Sequence, residues 1–213
     1  MVAEGGAAEI AVDGPKDANV CVVLGPGAGP DMSSDFMVHV SSGLARAGFS
    51  VARFNFPYQQ QKKRSPDRQE VLEAAFRSAV DGLNRRGKRK LVVGGKSLGG
   101  RIASHVVAGG LAADGLLFLG YPLHPPGKPD RLRTQHFRQI HVPTLFVEGT
   151  RDPFCPLPTL SKVRGEIPAP TEVAVIDGGD HSFKIPKSSG RSTAEAWDEV
   201  VAVCADWLKE LDN

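Results

Sequence analysis

"KLVVGGKSLGGR", residues 90–101, decides how the rest of the chain is read. A short apolar run meets two glycines, then Lys96, Ser97 and Leu98, then two more glycines. Two kinds of loop share these letters. Gly-Lys-Ser closes a phosphate-binding loop, and Gly95-x-Ser97-x-Gly99 is the frame that carries a hydrolase nucleophile. The phosphate loop needs a glycine five positions before Gly95, and Lys90 stands there instead. The hydrolase frame needs a strand before it and a helix after it. The chain must turn sharply to expose the serine hydroxyl, and glycines let the two backbones approach. Both flanks fit: "KLVVGG" (90–95) reads as a strand, and "LGGRIASHVVAGG" (98–110) as a helix closed by Gly109 or Gly110. A plainer reading stays open here, a strand-to-helix turn with Ser97 as N-cap.

The same alternation extends in both directions. Strands are expected at 18–25, 49–56, 115–120, 143–149 and 171–178, with a further N-terminal candidate at 8–14. A helix over 33–48 places Phe36, Met37, Val40, Leu44 and Ala45 inward, with Ser33 or Ser34 as cap and Gly48 as stop. The spacing predicts a second helix over 66–86, with Pro66 early and Val71, Ala75, Val80 and Leu83 on one face. Two more are expected at 157–167 and 192–212. Nearly continuous apolar strands separated by helices indicate a mostly parallel sheet of about seven strands with helices on both faces. At 213 residues, one domain over 1–213 is expected. The longest irregular stretches, 57–67 and 121–143, both follow strands, where parallel sheets place ligand sites.

Composition narrows the function classes. With 26 basic and 24 acidic residues the formal net charge is +2, which gives no argument for a nucleic-acid partner. No apolar stretch reaches the roughly 18–20 residues that span a bilayer, so no membrane partner is expected. The first residues lack the basic start and apolar core of a secretory signal. Cys21, Cys155 and Cys204 are odd in number and far apart, which reads as free thiols in a reducing compartment. Cytoplasmic location is the corresponding expectation, with neither metal nor organic cofactor.

In a hydrolase of this kind the acid and the base follow the serine in chain order, each behind a later strand. Asp152 lies in "TRDP" behind "PTLFVEG", and His181 in "GGDHSF" behind "TEVAVIDGG". Type, order and position together make Ser97, Asp152 and His181 a candidate triad. Each has a plainer reading: Asp152 as a turn former before proline, His181 as a surface loop histidine. Asp177 and Asp180 are read as turn residues. An oxyanion hole needs two backbone N–H groups. Leu98, which follows the serine, supplies one. The glycine-rich loop "GPGAGPDMSS" (25–34) is where the other is expected, unless that loop is only a flexible connection.

These stretches resemble the α/β hydrolase-like family that includes the testis-expressed hydrolase-like proteins of animals and their plant and bacterial relatives, near the dienelactone hydrolases. The likeness rests on "GPGAGPDMSSDFM", "GGKSLGGR", "LGYPLHPPGKPDRLR", "FVEGTRDPFCP" and "VIDGGDHSFK", and covers nearly the whole chain. It implies the α/β-hydrolase fold without a cap domain, Ser97 as nucleophile, Asp152 as acid and His181 as base. It also implies Ala28 as an oxyanion donor, with Gly27 beside it. One position departs: the family's His-Gly-Ala-Gly, whose histidine braces the loop, is Pro26-Gly27-Ala28-Gly29 here. The resemblance thus implies a serine hydrolase acting on a small-molecule ester or lactone. Its alternative is a non-catalytic or weakly catalytic interaction domain, as some animal members are.

Other residues carry paired readings. Lys96 beside the serine either draws an anionic group to the site or is solvated or paired with a loop carboxylate. Tyr121 and His124 approach the pocket from the loop after "GLLFLG", though His124 also suits packing against Pro125 and Pro126. His105 reads as buried rather than catalytic. Phe54 and Phe56 read as core, Cys155 as a small buried hydrophobe, and the "QKKR" run at 61–64 as a solvated loop. With only about twenty residues and four prolines between Tyr121 and Pro143, no helical lid is expected and the acyl pocket is expected to be shallow and open.

Overall fold

The computed structural model describes residues 9–83 and 89–212. The short apolar runs become strands β1 (Ile10–Asp13), β2 (Val20–Gly25), β3 (Ser50–Phe54), β4 (Lys90–Lys96), β5 (Gly115–Leu119), β6 (Thr144–Gly149) and β7 (Thr171–Ile176). They form one sheet in the order β1-β3-β2-β4-β5-β6-β7. Only β1 runs antiparallel, against β3. The helices are α1 (Asp35–Arg46), α2 (Pro57–Gln60), α3 (Gln69–Asp81), α4 (Leu98–Ala108), α5 (Leu157–Val163) and α6 (Thr193–Asp212).

Strand alternation sorts the core into two layers. Leu91, Val93, Leu116, Phe118 and Phe146 point to the face covered by α3, α4 and α5. Val92, Leu117, Leu119, Leu145 and Val147 point to the face covered by α1 and α6. Because both faces are covered, the central strands are apolar throughout. The chain runs from β2 outward to β3, then crosses to β4 on the other side of β2. That reversal opens a crevice beyond the carboxyl ends of β2 and β4, where Gly25 pairs with Gly95.

Three expectations about the helices need correction. The helix predicted from Pro66 starts at Gln69, because Arg68 is extended (φ −60°, ψ 154°). Its inward face is Leu72, Phe76, Ala79 and Val80, whereas Val71 is exposed. Of the expected face, Val80 is buried and Ala75 and Leu83 pack against the same core, so only Val71 is misplaced, one position from the buried Leu72. Positions 84–86 of that expected helix, like Ala8 of the expected first strand, lie outside the described residues. The stretch 57–67 is not wholly irregular, for α2 occupies its first residues. Between Tyr121 and Pro143 the only regular element is a 3₁₀ turn at Phe137–Gln139, so no cap domain is inserted there. Among the described residues no helix is long and apolar enough to cross a membrane.

Candidate active site

Ser97 sits between β4 and α4 with φ 50° and ψ −108°, a conformation non-glycine residues avoid. The flanking glycines make that turn possible. A Cβ on Gly95 would lie 2.1 Å from the Gly25 carbonyl oxygen, and one on Gly99 2.0 Å from the same atom. The N-terminus of α4 therefore points at the serine with its partial positive charge.

His181 follows β7 in a turn built by Asp180, whose Oδ1 accepts from the backbone N–H of Ser182 at 2.7 Å and of Lys184 at 2.9 Å. Asp177 accepts from the Thr150 hydroxyl at 3.4 Å. Both aspartates thus take the turn roles read for them. Asp152 follows β6, and its Oδ1 accepts from the Phe154 N–H at 2.7 Å. The structure brings Ser97, His181 and Asp152 together. His181 Nδ1 lies 2.6 Å from Asp152 Oδ2, and Nε2 lies 2.9 Å from Ser97 Oγ. A carboxylate can only accept, so Nδ1–H donates and Nε2 accepts the serine proton. Phe154 packs edge-on against the imidazole, ring centres 4.7 Å apart. A hydroxyl, an imidazole and a carboxylate bonded in series can deprotonate the hydroxyl as it attacks a carbonyl.

Burial lowers the His181 pKa below its ordinary 6.5; the Asp152 hydrogen bond opposes this and the Lys96 ammonium adds to it. The imidazole is then neutral at pH 7, as a base must be. Lys96 itself departs from its expected place. Its stem borders the cavity, but its Nζ is fully buried without a hydrogen-bond partner. A Cβ on Gly120 would lie 2.9 Å from that Nζ and 3.5 Å from Asp152 Oδ2. Strand geometry turns the ammonium behind the triad, so it does not reach a pocket anion. Burial brings its pKa down to about 8, against the pull of Asp152, Glu148 and Asp180. Burial likewise pushes Glu148 well above the usual carboxylate range.

Tyr121 also needs correction. Gly120 turns the chain at φ +69°, and the ring drops into the core between Phe118, Phe137 and Phe146. It is fully buried and does not line the cavity. His124 does line it. Gly27 and Ala28 form the opposite lip. The N–H groups of Ala28 and Leu98 have no hydrogen-bond partner among the described residues. Cys155 is buried, and burial drives its thiol pKa far up, which removes it as a second nucleophile. Phe54 and Phe56 are core, and His105 is half-buried against His136. Among the described residues no cluster of three or more His, Cys, Asp or Glu could hold a metal ion.

Two residues invisible to sequence reading stand where the loop-bracing histidine is missing. Gln59 Nε2 donates to the Gly27 and Pro30 carbonyls at 3.1 and 3.0 Å. Tyr58 donates to the Ala28 carbonyl at 2.8 Å. The tie spans about thirty residues of chain, and "PYQQQKKR" carries no local signal for it. Arg101 had a signal: it lies four residues after Ser97, on the same helix face. The cavity measures about 770 Å³ and is open to solvent, with Phe36, Met37, Leu72, Leu98, Phe154 and Trp197 as apolar walls. It is larger than the shallow pocket expected.

Residues 18–209 match the family described as the alpha/beta hydrolase domain. Three solved structures share the fold. A dienelactone hydrolase from Anabaena variabilis is 18% identical, with 99% of this chain and 94% of that chain covered at a TM-score of 0.74. A monoacylglycerol lipase from Paleococcus ferrophilus is 16% identical, covering 96% and 99% at 0.72. A serine hydrolase without a lid from Xanthomonas campestris is 16% identical, covering 94% and 89% at 0.64. With a sheet of this order and a family match over most of its length, the chain belongs to the α/β hydrolase domain family.

Proposed function

We propose that the chain is a serine hydrolase that cleaves small carboxylic esters or lactones through an acyl-Ser97 intermediate. The observation that carries this reading is the unbroken series Ser97–His181–Asp152 at 2.9 and 2.6 Å. Ser97 Oγ attacks the carbonyl carbon while His181 Nε2 takes its proton. The carbonyl oxygen, now negative, sits against the N–H groups of Ala28 and Leu98. His181 returns the proton to the departing alkoxide, and water releases the acid by the same steps in reverse order. Asp152 orients the imidazole and stabilises its charged form. The substrate class is supported by the names of the structural neighbours, and the likeness to the testis-expressed hydrolase-like proteins belongs to the same proposal. Pro26 favoured an interaction domain instead, but the Gln59 and Tyr58 tie holds the loop that the absent histidine would have braced.

Labelling with a fluorophosphonate probe, followed by a 4-nitrophenyl ester series, tests the reading. Ser97 is the expected labelled residue, and absence of both labelling and turnover rejects it. Rates should be highest from acetyl to butyryl esters. A deep apolar tunnel would add about 0.8 kcal/mol per buried methylene, whereas an open cavity lets a long chain end in water. A sustained rise to chains of about ten carbons would contradict this.

Loss of the tie should be visible in kcat. In Gln59→Ala the loop is released from two donors, and kcat should fall about tenfold with KM little changed, since an oxyanion contact is made chiefly in the transition state. An equal change in KM alone would assign Gln59 to substrate binding.

The pH profile of kcat/KM should show its acid limb below pH 6.5, the ordinary histidine value that burial lowers here. Activity falls as His181 gains a proton, so it is retained above the limb and lost beneath it. In Lys96→Met one of the charges opposing that proton is removed, and the limb should move to higher pH. A limb that stays in place would show that Lys96 does not act on His181.

A further inference from the structure

Arg101 and Arg133 both line the cavity that holds Ser97. Neither forms an ion pair with a carboxylate among the described residues. The Arg101 Nε is buried without a hydrogen-bond partner, and its one polar side-chain contact is with Gln69 Oε1 at 3.3 Å. Burial lowers the Arg101 pKa and the charge of Arg133 lowers it further, against a smaller opposing pull from Glu73. The nearby carboxylate, Glu73, is engaged by Gln69 Nε2 at 2.7 Å. Asp67 borders the same cavity, but its charge acts on Tyr58 and is not among those that shift either arginine. Half-buried like charges with only the Glu73 carboxylate to offset them are unfavourable, and an anion beside them relieves this. The loop that carries Arg133 is also built rather than loose. Its N–H donates to the Leu123 carbonyl at 2.7 Å, and its carbonyl accepts from the Tyr121 hydroxyl at 3.4 Å.

His124, on the same loop, adds a second polar atom. Its Nδ1 donates to the Pro125 carbonyl at 2.9 Å, which makes Nε2 the acceptor in the neutral ring. That Nε2 is buried without a partner on the cavity wall. Aromatic and aliphatic side chains on α1 and α6, Phe36, Met37 and Trp197, form the facing wall. The cavity is therefore apolar on one side and offers unpaired polar groups on the other.

We propose that Arg101 and Arg133 form an anion subsite of the Ser97 cavity, so that the ester or lactone it takes carries a carboxylate. The proposal rests on the esterase reading above and deepens it. Beside the carboxylates of Glu73 and Asp67, a singly charged carboxylate is repelled less than a phosphate dianion and is the better match. A carboxylate also suits the planar forks of arginine, which bind it with two parallel hydrogen bonds. The role once expected of Lys96 passes to these residues, because its ammonium is turned away from the cavity.

The test compares charged and neutral esters of one shape. 4-Acetoxybenzoate against methyl 4-acetoxybenzoate places the charge on the leaving group, and mono-4-nitrophenyl adipate against 4-nitrophenyl heptanoate places it on the acyl group. In at least one pair the ratio of kcat/KM, charged over neutral, should fall about tenfold to a hundredfold in Arg133→Gln, as when a buried charged group loses its partner. Arg133→Lys should recover part of that ratio. Comparing ratios cancels the different intrinsic reactivities of the esters. Adipate and benzoate should also inhibit the wild type and raise its melting temperature, with both effects weakened in Arg133→Gln. Unchanged ratios in both pairs, with no inhibition by either acid, would overturn the subsite while leaving the esterase reading intact. If no ester is turned over and Ser97 takes no fluorophosphonate, the esterase reading fails. The thermal shift with adipate and benzoate then judges the subsite alone, and a wild type that neither acid stabilises rejects it.

Discussion

Ser97→Ala will lower kcat for 4-nitrophenyl acetate by about 10⁴–10⁶ and abolish fluorophosphonate labelling, the scale on which removal of an activated serine acts. Nothing else near the site can take over. Cys155 is buried with its thiol pKa driven up, and the neighbouring Ser182 donates neither to His181 nor to Asp152. The fold should survive the change. The hydroxyl's one hydrogen bond among the described residues is with His181 Nε2 at 2.9 Å, and alanine relieves none of the packing around Gly95 and Gly99. A circular-dichroism melt alongside the rates separates loss of chemistry from loss of structure. A variant that keeps wild-type activity would mean that another residue attacks the substrate.

Asp152→Asn should cost about 10⁴ in kcat, because an amide in place of the carboxylate reverses the tautomer of His181. The amide can offer an N–H to Nδ1, which then becomes an acceptor and leaves Nε2 protonated against the serine. Asp180→Asn is the internal control. Its Oδ1 still accepts from the Ser182 and Lys184 N–H groups, at 2.7 and 2.9 Å in the parent, so the turn persists and kcat should change less than about tenfold. The two rates measured side by side decide which aspartate orients the imidazole. A large loss in Asp180→Asn with a small one in Asp152→Asn would reassign the role.

Much of this was legible in one dimension. The strands and helices announce themselves through periods of 2.0 and 3.6 residues, through glycine stops and through apolar runs, all of which are local. The Gly95–Gly99 frame is legible for the same reason, since the strained turn at Ser97 is made within five residues. The order serine, aspartate, histidine along the chain follows from where strands end. Local signals were weaker where alternatives lay one residue apart. On α3 one position of the face was misjudged, because the apolar Val71 stands directly beside the buried Leu72. The side-chain directions of Lys96 and Tyr121 were misjudged because they depend on how β4 and β5 sit against their neighbours.

Ser97 and His181 are 84 positions apart, and His181 and Asp152 are 29 apart. Composition and motif name such residues, but parallel register between β4, β5, β6 and β7 sets the distances among them. The Gln59 and Tyr58 brace of the Gly27–Pro30 loop, the burial of the Lys96 ammonium and the placing of the Arg101 and Arg133 guanidiniums on one cavity share one property. Each depends on which side chains the packed layers leave facing a common space. A chain specifies that through its whole set of contacts at once, whereas a turn or an amphipathic stripe is specified by its own few residues.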